Sequence, residues 1–429
     1  MDSLESQFSG TEPFDVAVVG GAAAGTFFVS GWLRRGGVGS VLWLTGEDPV
    51  GVAYGSRCDA HLLNVPAGRM GAFVDRPQDF LDHLRAQDPA GSFEGTDFLP
   101  RRLYGDYLRH LQAMASGHPS VRRLPLSLTD IERAGTDAQP TWRLRSDDGQ
   151  AFHARKVVFA TGLAEEPGRG DDDPAALQDP WRWFNGPASG RRLPADHEEI
   201  RVLGSGLTAM DTIIGLREAG FGGRISALSR SGRWSERHAA ADPLTDAERA
   251  SLVAELLERS SCRGYLATLR RHVDRRPWRA VIDALPPHSQ ALCSALDTAE
   301  QRRFLRHLFP VWNRYRHRAP PRTAERIDRD AGLRLERGRA RSAGHGAALV
   351  FDCRGLGLAS GRRWPRCLLT LAERGVLATG ALGLGFVSRQ PDSIELLGAL
   401  RFGAEFECTA VPELRAQAAA IIDRWTRTA

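Results

Sequence analysis

Lysine is almost missing from this chain of 429 residues: Lys156 stands alone among 57 basic side chains. The arginines are spread along the sequence and interleaved with Asp and Glu, so the net charge of +5 gathers on no one stretch. A nucleic-acid footprint needs a clustered basic face, so no nucleic-acid partner is expected. No Cys-x-x-Cys occurs. Cys58, Cys262, Cys293, Cys353, Cys367 and Cys408 are scattered, which excludes a redox-active dithiol motif and suits buried thiols in a reducing compartment. The histidines do not group with them at ligand spacing, so no metal is expected. No apolar run approaches the roughly 20 residues that cross a bilayer. Met1 to Pro13 is polar and acidic, without the basic start and apolar stretch of a secretion signal. A soluble cytoplasmic protein is expected. No Ser-His-Asp or Cys-His pattern stands out.

What is present is a pair of glycine-rich turns. The first follows the apolar run Phe14 to Val19 and reads Gly20-Gly21-Ala22-Ala23-Ala24-Gly25. The second follows Ile200 to Leu203 and reads Gly204-Ser205-Gly206-Leu207-Thr208. A strand that breaks at glycine and opens into a helix presents bare backbone N–H groups to a pyrophosphate. Two such turns imply two dinucleotides, most economically FAD and a nicotinamide. The fold class expected is α/β, with two Rossmann-like dinucleotide-binding domains and a helical insertion in the second.

The organisation follows from these landmarks. Residues 1–165 are expected to form the first segment of an FAD domain. Its second strand is Val41 to Leu44, and a later strand ends in the turn Ala160-Thr161-Gly162. Residues 196–345 are expected to bind NAD(P)H, with a helical insertion at about 243–327, where apolar residues take helical spacing. Residues 346–429 are read as a return to the FAD domain. With 42% hydrophobic and 25% charged residues, the composition suits two or three globular domains.

The first turn departs twice from the dinucleotide pattern. Ala22 replaces the middle glycine, which normally lets the backbone approach the pyrophosphate. The acidic ribose-holding residue is replaced by Thr45, with Glu47 as an alternative. A turn that binds nothing therefore stays open. After the second turn come Ser229, Arg230 and Arg233, whose guanidinium groups suit a 2′-phosphate and so NADPH over NADH, unless they are simply solvated. His61 and Asn64 lie in the apolar block His61 to Met70. A flavin ring would partner them if they are buried; otherwise they are satisfied core groups. Arg316, His317 and Arg318, beside Tyr315, would meet an anionic substrate or the NADPH phosphates, or form a surface cluster at a helix end.

The blocks Gly51 to Phe73, Phe98 to Leu108, Arg201 to Arg230, Phe304 to Pro320 and Gly398 to Ala418 resemble FAD/NAD(P)-binding proteins of the YdhS type. That group shares its N-terminal domain with aspartate N-monooxygenases of the cremeomycin-pathway kind and with a bacterial FAD-dependent urate hydroxylase. The resemblance implies that Asn64, with Val65 beside it, faces the flavin and the nicotinamide. It makes Asn64 and His61 the expected catalytic residues, Asn64 hydrogen-bonding near the reacting oxygen and His61 helping to hold that loop. It also implies that Gly398 passes the ribityl chain and that Thr409, Ala410 and Val411 open the last helix toward the flavin. Two departures stand out. Phe406-Glu407 replaces a frequent Trp-Glu, and Cys353-Arg354-Gly355 replaces a frequent Cys-Thr-Gly.

The activity implied is flavin monooxygenation: NADPH reduces FAD, and oxygen from O2 passes to a small amine or purine-like substrate. A reductase or dehydrogenase without oxygen insertion is the alternative, as is a non-catalytic flavin-binding accessory protein.

Overall fold

The computed structural model describes residues 12–46, 50–136, 139–162, 177–185, 193–339, 347–355 and 364–427. The fold is α/β, built on two mainly parallel sheets. In the first half of the chain the strands are β1 (Phe14–Val19), β2 (Val41–Leu44), β3 (Val121–Leu124), β4 (Leu128–Thr136), β5 (Gln139–Ser146) and β6 (Ala151–Phe159). The later strands are β7 (Leu177–Gln178), β8 (Glu199–Leu203), β9 (Arg224–Ser229), β10 (Leu333–Arg337), β11 (Leu349–Asp352), β12 (Leu377–Thr379), β13 (Phe386–Ser388) and β14 (Ile394–Leu396).

The first sheet has the order β3-β2-β1-β6-β5-β4, and β6 is its branch point. The first half of β6 pairs antiparallel with β5, while its second half pairs in parallel with β14. β1 lies in the middle, and every residue of it but Asp15 is buried. Such a continuous apolar run is what a strand covered on both faces requires. One face carries α1 (Ala23–Arg34), α2 (Asp79–Gln87), α3 (Arg101–Ser116) and, from the far end of the chain, the last helix Val411–Arg427. Trp425 of that helix meets Phe28 edge-on at 5.9 Å, and Ile422 presses on Gly31, where a side chain would lie 3.0 Å away.

The second sheet is wholly parallel, in the order β10-β9-β8-β11-β7. Two of its strands lie outside the 196–345 segment expected for this unit. β7 comes from the Gly- and Pro-rich connector. β11 pairs with β8, so the expected return to the first domain at residue 346 is too early. The reason is topological: β11 closes the second unit as β6 closes the first.

After α4 (Pro180–Asn185) and α5 (Leu207–Glu218) comes a helical body. Its members are α6 (Asp246–Glu258), α7 (Cys262–Val273), α8 (Trp278–Asp283), α9 (Ser289–Ala295), α10 (Thr298–Arg303), α11 (Phe309–Arg316) and α12 (Pro321–Arg329). Thr245 and Glu248 form a reciprocal capping box at the start of α6, and Ser261 and Asp297 cap α7 and α10. The body has its own core around Leu252, Leu256, Val281 and Leu292. Two further helices, α13 (Arg366–Glu373) and α14 (Val411–Arg427), complete the chain.

The two units are joined by a buried ion pair. Arg101, at the start of α3, reaches Asp211 inside α5 through both Nε and a terminal nitrogen, each at 3.1 Å. The two residues are 8% and 4% exposed. Removing one partner leaves the other charged and dry, so Arg101→Met is expected to cost about 3–5 kcal/mol. The double replacement Arg101→Met with Asp211→Leu should cost less than Arg101→Met alone. Urea denaturation checks this; an equal or larger loss in the double variant would show that charge compensation is not what the pair provides.

Candidate functional site

The two glycine turns are the same construction made twice. Gly20 has φ +119° and donates its N–H to Leu44 O at 2.7 Å. Gly204 has φ +125° and donates to Leu228 O at 2.8 Å. A side chain on Gly20 would lie 2.4 Å from Ala160 O, and one on Gly204 would lie 2.3 Å from Cys353 O. Both positions therefore require glycine for conformation and for space. Cys353-Arg354-Gly355 is thus the second unit's counterpart of Ala160-Thr161-Gly162, and Gly162 and Gly355 both take positive φ. The sequence signal existed, since both strands end in x-x-Gly. Arg354 forks onto Asp352 at 2.9 and 3.1 Å, where the first unit has Thr161.

Residues that the sequence did not single out hold the first turn. Trp43 Nε1 donates to Gly20 O at 3.0 Å. Gly21 O accepts from Gln112 Nε2 at 2.9 Å and from Thr26 Oγ1 at 3.1 Å. Arg123 anchors Gln112 and lies over the Trp43 ring. With its carbonyls tied inward, the turn offers its N–H groups outward. Helix α1 begins at Ala22 with no side-chain cap and no acidic residue in its first turn. Gly25 lets the helix close on the turn, since a side chain there would strike Gly20 O at 2.0 Å. The Ala22 methyl is accommodated by Gly51: a side chain at 51 would meet it at 2.7 Å. These features fit a dinucleotide phosphate. Thr45 is turned inward, its hydroxyl within reach of Gly46 O and Leu124 O at 3.2 and 3.3 Å. A hydroxyl that donates to backbone retains only its acceptor side for a ribose. Glu47 lies outside the described residues.

In the second turn, α5 starts at Gly206, again without a side-chain cap or first-turn acid. A side chain at Gly206 would meet nothing within 4 Å, so the helix end faces open space. Half-exposed Thr208 sits in the first turn of α5, and Ser205 Oγ donates to Arg233 O at 2.8 Å. Ser229 Oγ accepts from Gly232 N at 3.1 Å, while Arg230 and Arg233 are exposed and form no ion pair with a described residue. Arg337, beside Ser229 in the parallel register, adds a third arginine to this edge. Only the sheet order brings it there.

The block His61 to Met70 runs beside the segment 95–101: Leu63 N donates to Leu99 O, and Arg101 N donates to His61 O, both at 2.8 Å. His61 is fully buried, and burial pushes its pKa below the ordinary range. Neutral His61 donates from Nε2 to Asp211 O at 2.9 Å and accepts from Ser56 Oγ at Nδ1, 2.6 Å away. Both ring nitrogens are thus committed within the chain, so His61 is a positioning residue that ties the loop to α5. Asn64 is half-buried, as is Val65. The Asn64 side-chain amide has no hydrogen bond to a described residue, while the Asn64 backbone carbonyl accepts from His238 Nε2 at 3.0 Å. His238 stands in the second unit and lies against Phe98. Burial, helped by nearby Arg318, pushes its pKa down to about 4.

At the carboxyl end of the first sheet, Leu397 N donates to Phe159 O at 2.8 Å, which places Gly398 beside the Ala160 turn. Gly398 has φ +68° and donates to Gln417 Oε1 at 2.9 Å. Thr409 is exposed, Ala410 half-buried and Val411 buried where α14 begins. Glu413 in that first turn offsets part of the helix's positive end. Arg316 lies between Glu407 and Glu413, and Arg318 is buried against Asp283. These arginines are therefore compensated inside the chain. They form neither a free anion site nor a surface cluster.

The described cysteines are all free, and burial raises the thiol pKa of each. No group of His, Cys, Asp and Glu among the described residues is placed to hold a metal. No helix among them is long and apolar enough to cross a membrane.

Residues 17–164 match the family described as FAD-NAD(P)-binding. No curated protein matches the chain. Among solved structures, the chain is similar to the ornithine N-hydroxylase of Kutzneria sp. 744, with TM-score 0.62 and 14% identity over 97% of this chain and 100% of that one. It is similar to the L-lysine 6-monooxygenase of Pseudomonas syringae, with TM-score 0.58 and 15% identity over 96% and 99%. A cyclohexanone monooxygenase variant from Rhodococcus sp. Phi1 aligns with TM-score 0.54 and 13% identity over 97% and 86%. At these identities the likeness establishes a shared fold.

Two predictions follow from this geometry. Gly25→Ala is expected to destabilise the chain by about 1–3 kcal/mol or more through overpacking. Gly206→Ala should leave the melting temperature nearly unchanged; equal melting losses in the two variants would contradict the open helix end. For His238 the sign is set by its depressed pKa. The unfolded chain takes up the proton first as pH falls below about 6.5, so stability drops toward pH 4. His238→Gln should flatten that fall, measured as unfolding free energy against pH. A parallel profile would remove His238 as a cause.

Proposed function

We propose that the chain is an FAD-dependent NADPH monooxygenase acting on a small molecule, with FAD on the first unit and NADPH on the second. The observation that carries this reading is the doubled turn: two uncapped helix N-termini, each behind a positive-φ glycine, with the Asn64 loop tied by His61 and His238 to the second unit. The match over residues 17–164, the shared fold with the monooxygenases and the YdhS-type motifs support it.

In this reading the N-termini of α1 and α5 bind the two pyrophosphates. Trp43 and Gln112 keep the first turn's carbonyls out of the phosphate's way. Arg230, Arg233 and Arg337 meet the 2′-phosphate. Gly398 and the start of α14 border the flavin. FAD bound there and reduced by NADPH would supply the two electrons for O2, one oxygen atom going to a nucleophilic substrate atom and the other leaving as water. The Asn64 amide orients the nicotinamide and flavin by hydrogen bonding, and the buried His61 loop helps exclude water from the reacting face.

The test starts from the purified, FAD-loaded protein. NADPH should bleach the flavin without air. Product formed under isotopically labelled dioxygen should carry the label. Asn64→Ala should still oxidise NADPH but lose most of the product. Bleaching with no label in any product would turn the reading to a reductase, and a flavin that NADPH does not bleach would remove the enzyme reading altogether.

A further inference from the structure

The helical body encloses a space that the dinucleotide reading does not use. It lies among α6 to α11, between Leu292, Leu296, Phe304, Trp312 and Phe406, is open on one side, and has a volume of about 120 Å³. That is close to the size of an apolar cavity that takes up one benzene ring, about 150 Å³. Its walls are aliphatic and aromatic, and the polar groups among them are mostly engaged in the chain. Tyr265 donates to Leu292 O at 2.7 Å, and Ser289 Oγ donates to Pro286 O at 2.9 Å. Among the described residues, Glu407 is the single charged one on the wall, and no Arg, Lys or His lines it.

Glu407 is short of positive charge. Its side chain is 8% exposed, and Oε1 accepts from Trp312 Nε1 at 2.7 Å. Arg316 stands 3.9 Å from its other oxygen and 3.7 Å from Glu413, too far for a hydrogen bond to either. Arg316 is thus shared by two carboxylates; Glu413 also feels Arg415, while Glu407 has Arg316 as its nearest cation, and Glu413 Oε2 is buried without a hydrogen-bond partner. A buried carboxylate without a full counter-charge favours uptake of a cation.

We propose that this cavity binds an apolar amine: a hydrocarbon or aromatic body held by the helices, with one protonated nitrogen at Glu407. The same chemistry rejects amino acids such as ornithine or lysine, because nothing on the wall would meet an α-carboxylate. It also disfavours a purine, whose ring nitrogens and carbonyls would find few partners. Calling this amine the substrate rests on the monooxygenase reading, and the position of the cavity supports it. Glu407 lies two residues before Thr409, at the start of the helix that borders the flavin in that reading.

The experiment is calorimetric binding to the purified holoprotein of phenethylamine, phenylethanol, phenylpropionate and L-ornithine. Phenethylamine should bind about tenfold or more tightly than phenylethanol, as expected for a charged hydrogen bond. Phenylpropionate and L-ornithine should not bind. Leu292→Trp fills the cavity and should abolish phenethylamine binding. Glu407→Gln keeps the acceptor for Trp312, so it should preserve the shape, hold phenylethanol and lose the preference for the amine. Equal affinity for amine and alcohol in the native chain, no binding of phenethylamine, or an amine preference that survives Glu407→Gln would each overturn the proposal. Flavin content and bleaching by NADPH are read on the same preparation. A protein that bleaches but binds no amine loses this proposal and keeps its function, whereas one that binds the amine without flavin keeps the site and loses the reaction.

Discussion

The ion pair between Arg101 and Asp211 is the constraint on which the rest of the molecule depends. Asp211 sits inside α5 of the second unit, where a lone carboxylate would be costly. Its side chain takes Arg101 from the first unit, and its backbone carbonyl takes His61 from the same unit. Trp181 closes over Arg101 at 5.4 Å, and Phe184 meets His61 edge-on at 5.0 Å. Water is excluded, and that exclusion keeps His61 neutral and able to hold its two fixed bonds. One residue of α5 thereby anchors the start of the His61–Met70 loop, and His238 holds Asn64 further along it.

The two turns solve one problem with different supporting residues. Each needs a first glycine with positive φ, a strand-end carbonyl closing over it and a helix that starts uncapped. In the first unit the turn is braced by an aromatic and an amide side chain, and a glycine at 51 compensates for a methyl at 22. In the second unit the space in front of Gly206 is open and the nearby charge is arginine. The helical body is different in kind. It brings its own core and its own caps, and it meets the first unit through Trp312 and Glu407.

Much of this was legible in the residues. Apolar runs that stop at glycine marked β1 and β8, and their buried strands follow from that pattern. Three features were hidden. Leu349 to Gly355 was assigned to the wrong unit because a strand's neighbours depend on crossover topology, which local composition does not encode. Gln112 and Trp43 carry no motif, and they reach the first turn only because α3 and β2 flank it. The arginines at 316 and 318 read as free charge, since their partners Glu407, Glu413 and Asp283 are distant in sequence or on another helix.

By itself the sequence determined the local conformations: glycine where φ must be positive, Thr245 and Glu248 where a helix must start, and apolar runs where strands must be covered on both faces. Those choices are steric and short-ranged, so neighbouring residues settle them. The tertiary structure decided which charges are neutralised, which ring nitrogens are committed and which space is left open. Burial and electrostatic partnership depend on groups far apart along the chain. His61, Asp211 and Arg101 acquire their roles only once α3 and α5 meet.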